Sequence, residues 1–237
     1  MFRHELEQAL QSFDITLTAH QADQFCRFYD MLIETNKVMN LTALTEPHEV
    51  AVKHMADSLS CYDPAYFTDG ASLLDLGTGA GFPGIPLAIL RPDLHITLFD
   101  SLQKRLNFLQ SVVTELGLEH MSFLHGRAED AAHIKEYRGA FQIVTCRAVA
   151  RLNILLEWTL PYLAAGGVCI ALKGAQFKEE IDESQRALKI LGGTMAQIKP
   201  IQLPGLDDKR AVLYIEKIGD TPKKYPRKPK AAAKDPL

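Results

Sequence analysis

Cysteine is scarce and scattered. Cys26, Cys61, Cys146 and Cys169 are four in 237 residues, and no two form a CxxC pair. That spacing excludes a zinc ribbon and a disulfide framework and fits buried thiols in a reducing compartment, so the cytoplasm is the expected location. No run of eighteen apolar residues occurs, so no membrane span is expected. The start, MFRHELEQALQSFDI, lacks the apolar centre of a signal peptide and is expected to remain in the mature protein. His48-Glu49 and His54 do not make HExxH, so no zinc-hydrolase motif is present. There is no internal repeat, and no strand pattern before Ser72.

What is present is a chain 47% hydrophobic, enough for one substantial core. Its charge is uneven. Residues 220–237 hold six Lys/Arg against two Asp, a net +4, so the overall −3 leaves −7 in residues 1–219. An acidic body with a basic, proline-bearing tail is not a general polyanion binder, and any nucleic-acid contact must be local or made by the tail. The tail itself, TPKKYPRKPKAAAKDPL, has too little apolar surface to order alone and is expected to be flexible.

Residues 1–70 carry apolar positions three and four apart in FRHELEQALQSF and QADQFCRFYDMLIETNKVM, which predicts helices. Glu46-Pro47-His48 opens a further helix through EVAVKHMADSLSCY. From Ser72 short apolar runs (SLLDLG, HITLFD, MSFLHG, FQIVTCRA, GVCIALKG) alternate with helical patterns, IPLAILR, LQKRLNFLQSVVTELG, AEDAAHIKEYR and RLNILLEWTLPYLAAGG. This alternation predicts an α/β fold with a mostly parallel sheet. After the helix KEEIDESQRALKILGG, TMAQIKPIQLPG and RAVLYIEKIG read as a C-terminal antiparallel hairpin. The expected organisation is a helical N-terminal extension (1–70), a ligand-binding α/β domain (71–219) and a basic tail (220–237).

The stretch LLDLGTGAGFPGIPLAIL (73–90) follows the first strand, at whose carboxyl end ligands bind in such folds. No Lys-Ser/Thr pair follows Gly84, so it is not a P-loop. Gly79, Gly81 and Gly84 match GxGxxG formally, but Pro83 and Pro86 remove N–H groups that would receive a pyrophosphate. Asp75 would also repel phosphate. In the D-x-G-x-G-x-G reading (Asp75, Gly77, Gly79, Gly81) a cationic ligand suits that carboxylate, and S-adenosylmethionine, with an ammonium and a sulfonium, is such a ligand. Asp100, ending the second strand, is placed to accept ribose hydroxyls, and Glu129, after the third, would lie near the adenine. Each acid alone could equally be a helix cap or loop residue.

Around the fourth strand, VTCRAVARL lacks the [DN]-P-P-[YF] of amino-methylating enzymes. Cys146 lacks the proline-cysteine pair of cytosine chemistry and reads as a small apolar residue. Arg147 either points into the cleft or makes a surface ion pair, and Lys173 either lines the cleft or caps the sheet.

Across NKVMNLTALTEPHEVAVKHMADSL (36–59), residues 73–90, LFDSLQKRLNFL (98–109), GRAED (126–130), CRAVARL (146–152) and ALKG (171–174), the sequence resembles the bacterial small-subunit ribosomal RNA methyltransferase G family, also called glucose-inhibited division protein B. The resemblance implies a Rossmann-like class I methyltransferase, with S-adenosyl-L-methionine as cofactor and methylation of guanine N7 in 16S ribosomal RNA. It also implies cofactor contacts at Gly77, Phe82, Ala128, Glu129 and Arg147. Guanine N7 carries a lone pair and no proton, so no catalytic base is expected, and no metal. The expected partner is small-subunit ribosomal RNA or the small ribosomal subunit, met by a monomer through Lys37, Lys53, Lys104, Arg105, Arg151, Lys173 and the tail. Two other readings stay open on the residues alone: a small-molecule methyltransferase with residues 1–70 as a lid, and a binding protein without turnover.

Overall fold

A computed structural model describes all residues, 1–237. Helix α1 (Phe2–Gln11) buries Phe2, Leu6, Ala9 and Leu10, and α2 (Ala19–Met39) buries Phe25, Phe28 and Leu32, as the helical spacing predicts. Thr18 caps α2 reciprocally with Gln21, whose backbone N–H donates to the threonine hydroxyl. The helix over 47–59 comprises α3 (Pro47–Val50), a π-helical segment (Ala51–Ala56) and α4 (Asp57–Leu59).

Seven strands form one sheet in the order β3-β2-β1-β4-β5-β7-β6. They are β1 (Ser72–Leu76), β2 (His95–Asp100), β3 (Met121–His125), β4 (Phe141–Arg147), β5 (Leu163–Lys173), β6 (Gly193–Ile201) and β7 (Arg210–Lys217). The first five pair in parallel, while β7 runs antiparallel between β5 and β6. The expected C-terminal hairpin therefore extends the sheet beyond β5, with β6 at its edge. The order reverses between β1 and β4, and ligands bind in the crevice that such a reversal opens.

Helices α5 (Gly84–Leu90) and α6 (Gln103–Leu116) cover one face together with the N-terminal helices, in a core that runs from Phe2 through Leu73 and Ile170 to Tyr214. The extension is built into this core. The Gln21 amide donates to the carbonyls of Ile89 and Leu90, and that of Gln24 to Leu116, so α2 satisfies carbonyls left over at the ends of α5 and α6. The other face holds α7 (Ala128–Ala131), α8 (Leu152–Thr159), α9 (Phe177–Glu183) and α10 (Gln185–Leu191). No helix is long and apolar enough to cross a membrane.

Several expected elements differ. The helix over AEDAAHIKEYR stops after Ala131, and the residues beyond it are turns. Leu163-Ala164-Ala165 begins β5 and does not extend α8. KEEIDESQRALKILGG is two helices broken at Ser184, whose hydroxyl donates to the Glu180 carbonyl at 2.6 Å. The tail departs most from expectation. Residues 220–237 pack against the α7–α8 face, with Tyr225, Ala232 and Leu237 buried, and end in the short helix α11 (Pro229–Lys234).

Candidate active site

The glycine loop is shaped by what it packs against. Gly77 has φ 75°, and a Cβ there would come within 2.9 Å of Val149 in the loop after β4. The Gly77 and Thr78 N–H groups donate to the Phe99 carbonyl at 2.8 and 3.0 Å, tying the loop to the end of β2. Gly79 donates to Asp100 Oδ2 at 3.0 Å. Gly81, at φ 102°, is pressed against Ile85 and Leu109 and holds α5 against α6.

A cleft of about 300 Å³ opens where β1, β2, β3 and β4 end. Gly77, Asp100, Ala128 and Glu129 line it, so four of the expected cofactor residues meet around one space. Asp100 is 4% exposed and already engaged: it accepts from Gly79 and Leu102 and pairs with Arg105 at 3.3 Å. A carboxylate has about four acceptor positions, so a ligand hydroxyl finds a short remainder unless Arg105 turns away. Arg105, Trp158 and Pro229 also line the cleft.

Asp75, Gly79, Gly81, Phe82 and Arg147 are not among its walls. Asp75 is fully buried beneath the loop. Its carboxylate accepts from the Gly84 N–H at 2.9 Å and from the Thr145 hydroxyl at 3.2 Å, and burial pushes its pKa up to about 6. It holds α5 to the sheet at the position where a ligand's ammonium was expected. Phe82 is buried and stacks on His54 at 4.6 Å.

Arg147 turns to a second cleft of about 590 Å³. Its guanidinium lies 4.9 Å from the Phe82 ring, donates to Asp57 Oδ2 at 3.0 Å and to the Lys53 carbonyl at 3.2 Å, and reaches His54 Nδ1 at 3.2 Å. Asp57 accepts from Arg210 with its other oxygen at 3.1 Å. An arginine is only a donor, so His54 Nδ1 accepts and Nε2–H donates to the Thr42 hydroxyl at 2.7 Å. Burial and the Arg147 charge lower the His54 pKa to about 3, so the ring is neutral and both nitrogens are occupied. The π-helical segment supplies both Lys53 and His54 to this wall, an irregularity frequent at functional sites.

Of the expected basic residues, Lys53, Arg151 and Lys173 line the second cleft and Arg105 the first. Lys37 and Lys104 line neither. Lys173 donates to the Ala150 carbonyl at 2.7 Å and pairs with Glu180, bracing the loop after β4. Cys146 is buried, as the apolar reading expected. Sequence reasoning missed Asp57, Trp158, Arg210 and Pro229. Only Trp158, the single tryptophan, carried a compositional signal.

The two clefts share Ala148 and Val149. Ala148 adopts φ 54°, which costs a non-glycine residue about 1–2 kcal/mol. That strain sits at the seam between the clefts, braced by Lys173 on one side and Gly77 on the other.

Comparison with known proteins agrees with this architecture. The profile of the GidB family, described as rRNA small subunit methyltransferase G, matches residues 21–210. The Ribosomal RNA small subunit methyltransferase G of Lactococcus lactis subsp. lactis is 47% identical over 98% of this chain and 98% of its own. That of Alkaliphilus metalliredigens is 47% identical over 98% and 97%. Among solved structures, a predicted O-methyltransferase of Agrobacterium tumefaciens shares the fold at TM-score 0.54 and 18% identity, over 70% of this chain and 81% of its own. A sheet reversed at β1/β4, a glycine loop over acidic strand ends and full-length relatedness give one conclusion: the chain belongs to the rRNA small subunit methyltransferase G family.

Proposed function

We propose that this protein transfers a methyl group from S-adenosylmethionine to N7 of a guanine in small-subunit ribosomal RNA, with the donor in the first cleft and the base in the second. The carrying observation is that the clefts adjoin at Ala148–Val149. The donor supplies an electrophilic methyl on a sulfonium, which needs only a lone pair aligned with it.

The first cleft fits such a donor. Its walls hold two carboxylates, Asp100 and Glu129, suited to hydroxyl and amine groups. The missing Cβ of Gly77 leaves room for Val149 beside it on the wall, and Ala128 opens a helix whose first N–H groups lack helical partners. Asp75 acts indirectly by fixing the start of α5.

The second cleft holds and orients and has no proton to move. Guanine N7 carries no proton, and the titratable ring beside Arg147 is neutral with both nitrogens engaged. Rate enhancement then rests on alignment and on a still base. Lys53, Arg147, Arg151, Lys173 and Arg210 outnumber Asp57, Glu180 and Asp208 on this wall, a local excess of two positive charges, although most of these cations are held in ion pairs. The same reading carries a cytoplasmic location and a monomer acting on the small ribosomal subunit.

The test offers small ribosomal subunits from cells lacking the gene to purified enzyme with labelled donor, and then maps the modified nucleotide. Label on one guanine with the facile strand scission of N7 methylation is expected. Donor binding without label in RNA would sink the assignment.

A further inference from the structure

We propose that residues 220–237 are a strap that completes the donor site: Pro229 is a wall residue of the donor cleft, and the Arg227–Glu157 pair positions it. This rests on the first cleft being the donor site, as proposed above.

The strap is anchored at two places along the α7–α8 face, one near the amino end of β4 and one beside the donor cleft. On the side of α7, Arg138 donates to the carbonyls of Thr221, Pro222 and Tyr225 at 2.9, 3.2 and 2.9 Å, and His133 Nε2 lies 2.9 Å from the Pro226 carbonyl. On the side of α8, Glu157 receives both the backbone N–H and the guanidinium of Arg227, with Nη2 at 2.8 Å from Oε2. The Glu157 side chain is 1% exposed. A carboxylate so buried is strongly unfavourable without its partner, so the strap is drawn down at residue 227.

That anchor sits against the cleft. Glu157 precedes Trp158, and Arg227 is two residues before Pro229; Trp158 and Pro229 both line the donor cleft. The Trp158 indole N–H is buried without an acceptor in the chain. Arg227 also donates to the Asp235 carbonyl at 3.0 Å, closing α11 back on itself, while Ala232 and Leu237 are buried. A segment serving only as a mobile arm for phosphates has no use for a buried carboxylate partner or for burying Ala232 and Leu237. The exposed lysines of the strap, Lys223, Lys224, Lys228 and Lys230 among them, remain free to meet RNA. That separates the two roles experimentally.

The experiment titrates the full-length protein with S-adenosylhomocysteine, read by calorimetry and by the fluorescence of Trp158, the only tryptophan. Arg227→Ala is expected to weaken binding about tenfold, with Arg227→Lys recovering part of the loss. Pro229→Gly, at an exposed position, is expected to weaken it about threefold with the melting temperature unchanged. In both Arg227→Ala and Pro229→Gly the donor KM should rise while kcat at saturating donor and the salt slope of RNA binding stay at wild-type values. Glu129→Ala serves as the reference for the cleft. If it weakens binding while Arg227→Ala and Pro229→Gly do not, the strap proposal is overturned and the cleft assignment stands. If all three bind as the wild type does, the cleft assignment falls and the strap with it. A shallower salt slope at unchanged donor affinity would make the strap an RNA arm and refute the proposal.

Discussion

Gly84→Ala tests why the loop is glycine-rich. Gly84 is not in a left-handed conformation, so only room matters there. A Cβ would collide with Leu98 and stand 2.6 Å from Asp75 Oδ2. The isopropyl end of Leu98 is buried in the core and the carboxylate is fully buried, so neither yields without moving α5. Overpacking of this kind costs about 1–3 kcal/mol. Lengthening the Gly84 N–H bond to Asp75 leaves a buried carboxylate short of a donor, adding about 1–3 kcal/mol. The gain in helix propensity returns at most about 1 kcal/mol. A net loss of about 1–5 kcal/mol follows, or a melting temperature lower by about 2–4 °C per kcal/mol in a chain of this size. Urea denaturation followed through Trp158 measures it, with donor affinity measured in parallel. Full stability with lost donor affinity would show that Gly84 makes room for ligand and not for Asp75. An unchanged variant on both counts would refute the contact itself.

Asp75→Asn should change the pH dependence of stability. The carboxyl titrates near 6 when folded and near 3.8 when unfolded, so its favourable contribution is complete below 3.8 and is lost as pH rises through 6. Wild type should lose about 2 kcal/mol relative to the variant between pH 4 and 7, and a flat difference in urea melts would contradict burial as the cause. Arg147→Ala should abolish most RNA methylation while changing donor affinity less than about twofold, because its side chain faces the second cleft; Arg147→Lys keeps the charge but not the fork and should rescue poorly. Loss of donor affinity comparable to loss of turnover would return Arg147 to the donor site. Gly77→Ala, with φ 75° and Val149 at 2.9 Å, should weaken donor binding by about tenfold or more; calorimetry with S-adenosylhomocysteine checks this, and wild-type affinity would mean that the loop yields freely.

The strand–helix alternation, the glycine loop and the acids at strand ends were legible in the sequence because each is a local signal. Apolar period, turn glycines and a carboxylate after a strand fall within about ten residues of one another, and the sheet brings Gly77, Asp100, Ala128 and Glu129 together by topology alone. Asp75 shows the limit of such reading. Its position along the chain suited a ligand, but strand pleat and packing aimed it at Gly84 and Thr145. The second cleft depended on pairs far apart in sequence, with Arg147 and Asp57 separated by 90 residues and Arg210 and Asp57 by 153. The tail was misread for a related reason. Composition measures the apolar surface a segment brings, whereas its order comes from the surface it meets, here a buried Glu157 lying 70 residues before Arg227. The sequence by itself determined the fold class and where along the chain the glycine loop lies. Only the tertiary structure decided which carboxylates line a cleft, which are buried as struts, and that residues 220–237 pack against the α7–α8 face with Pro229 on the cleft wall, because each depends on partners that local sequence does not contain.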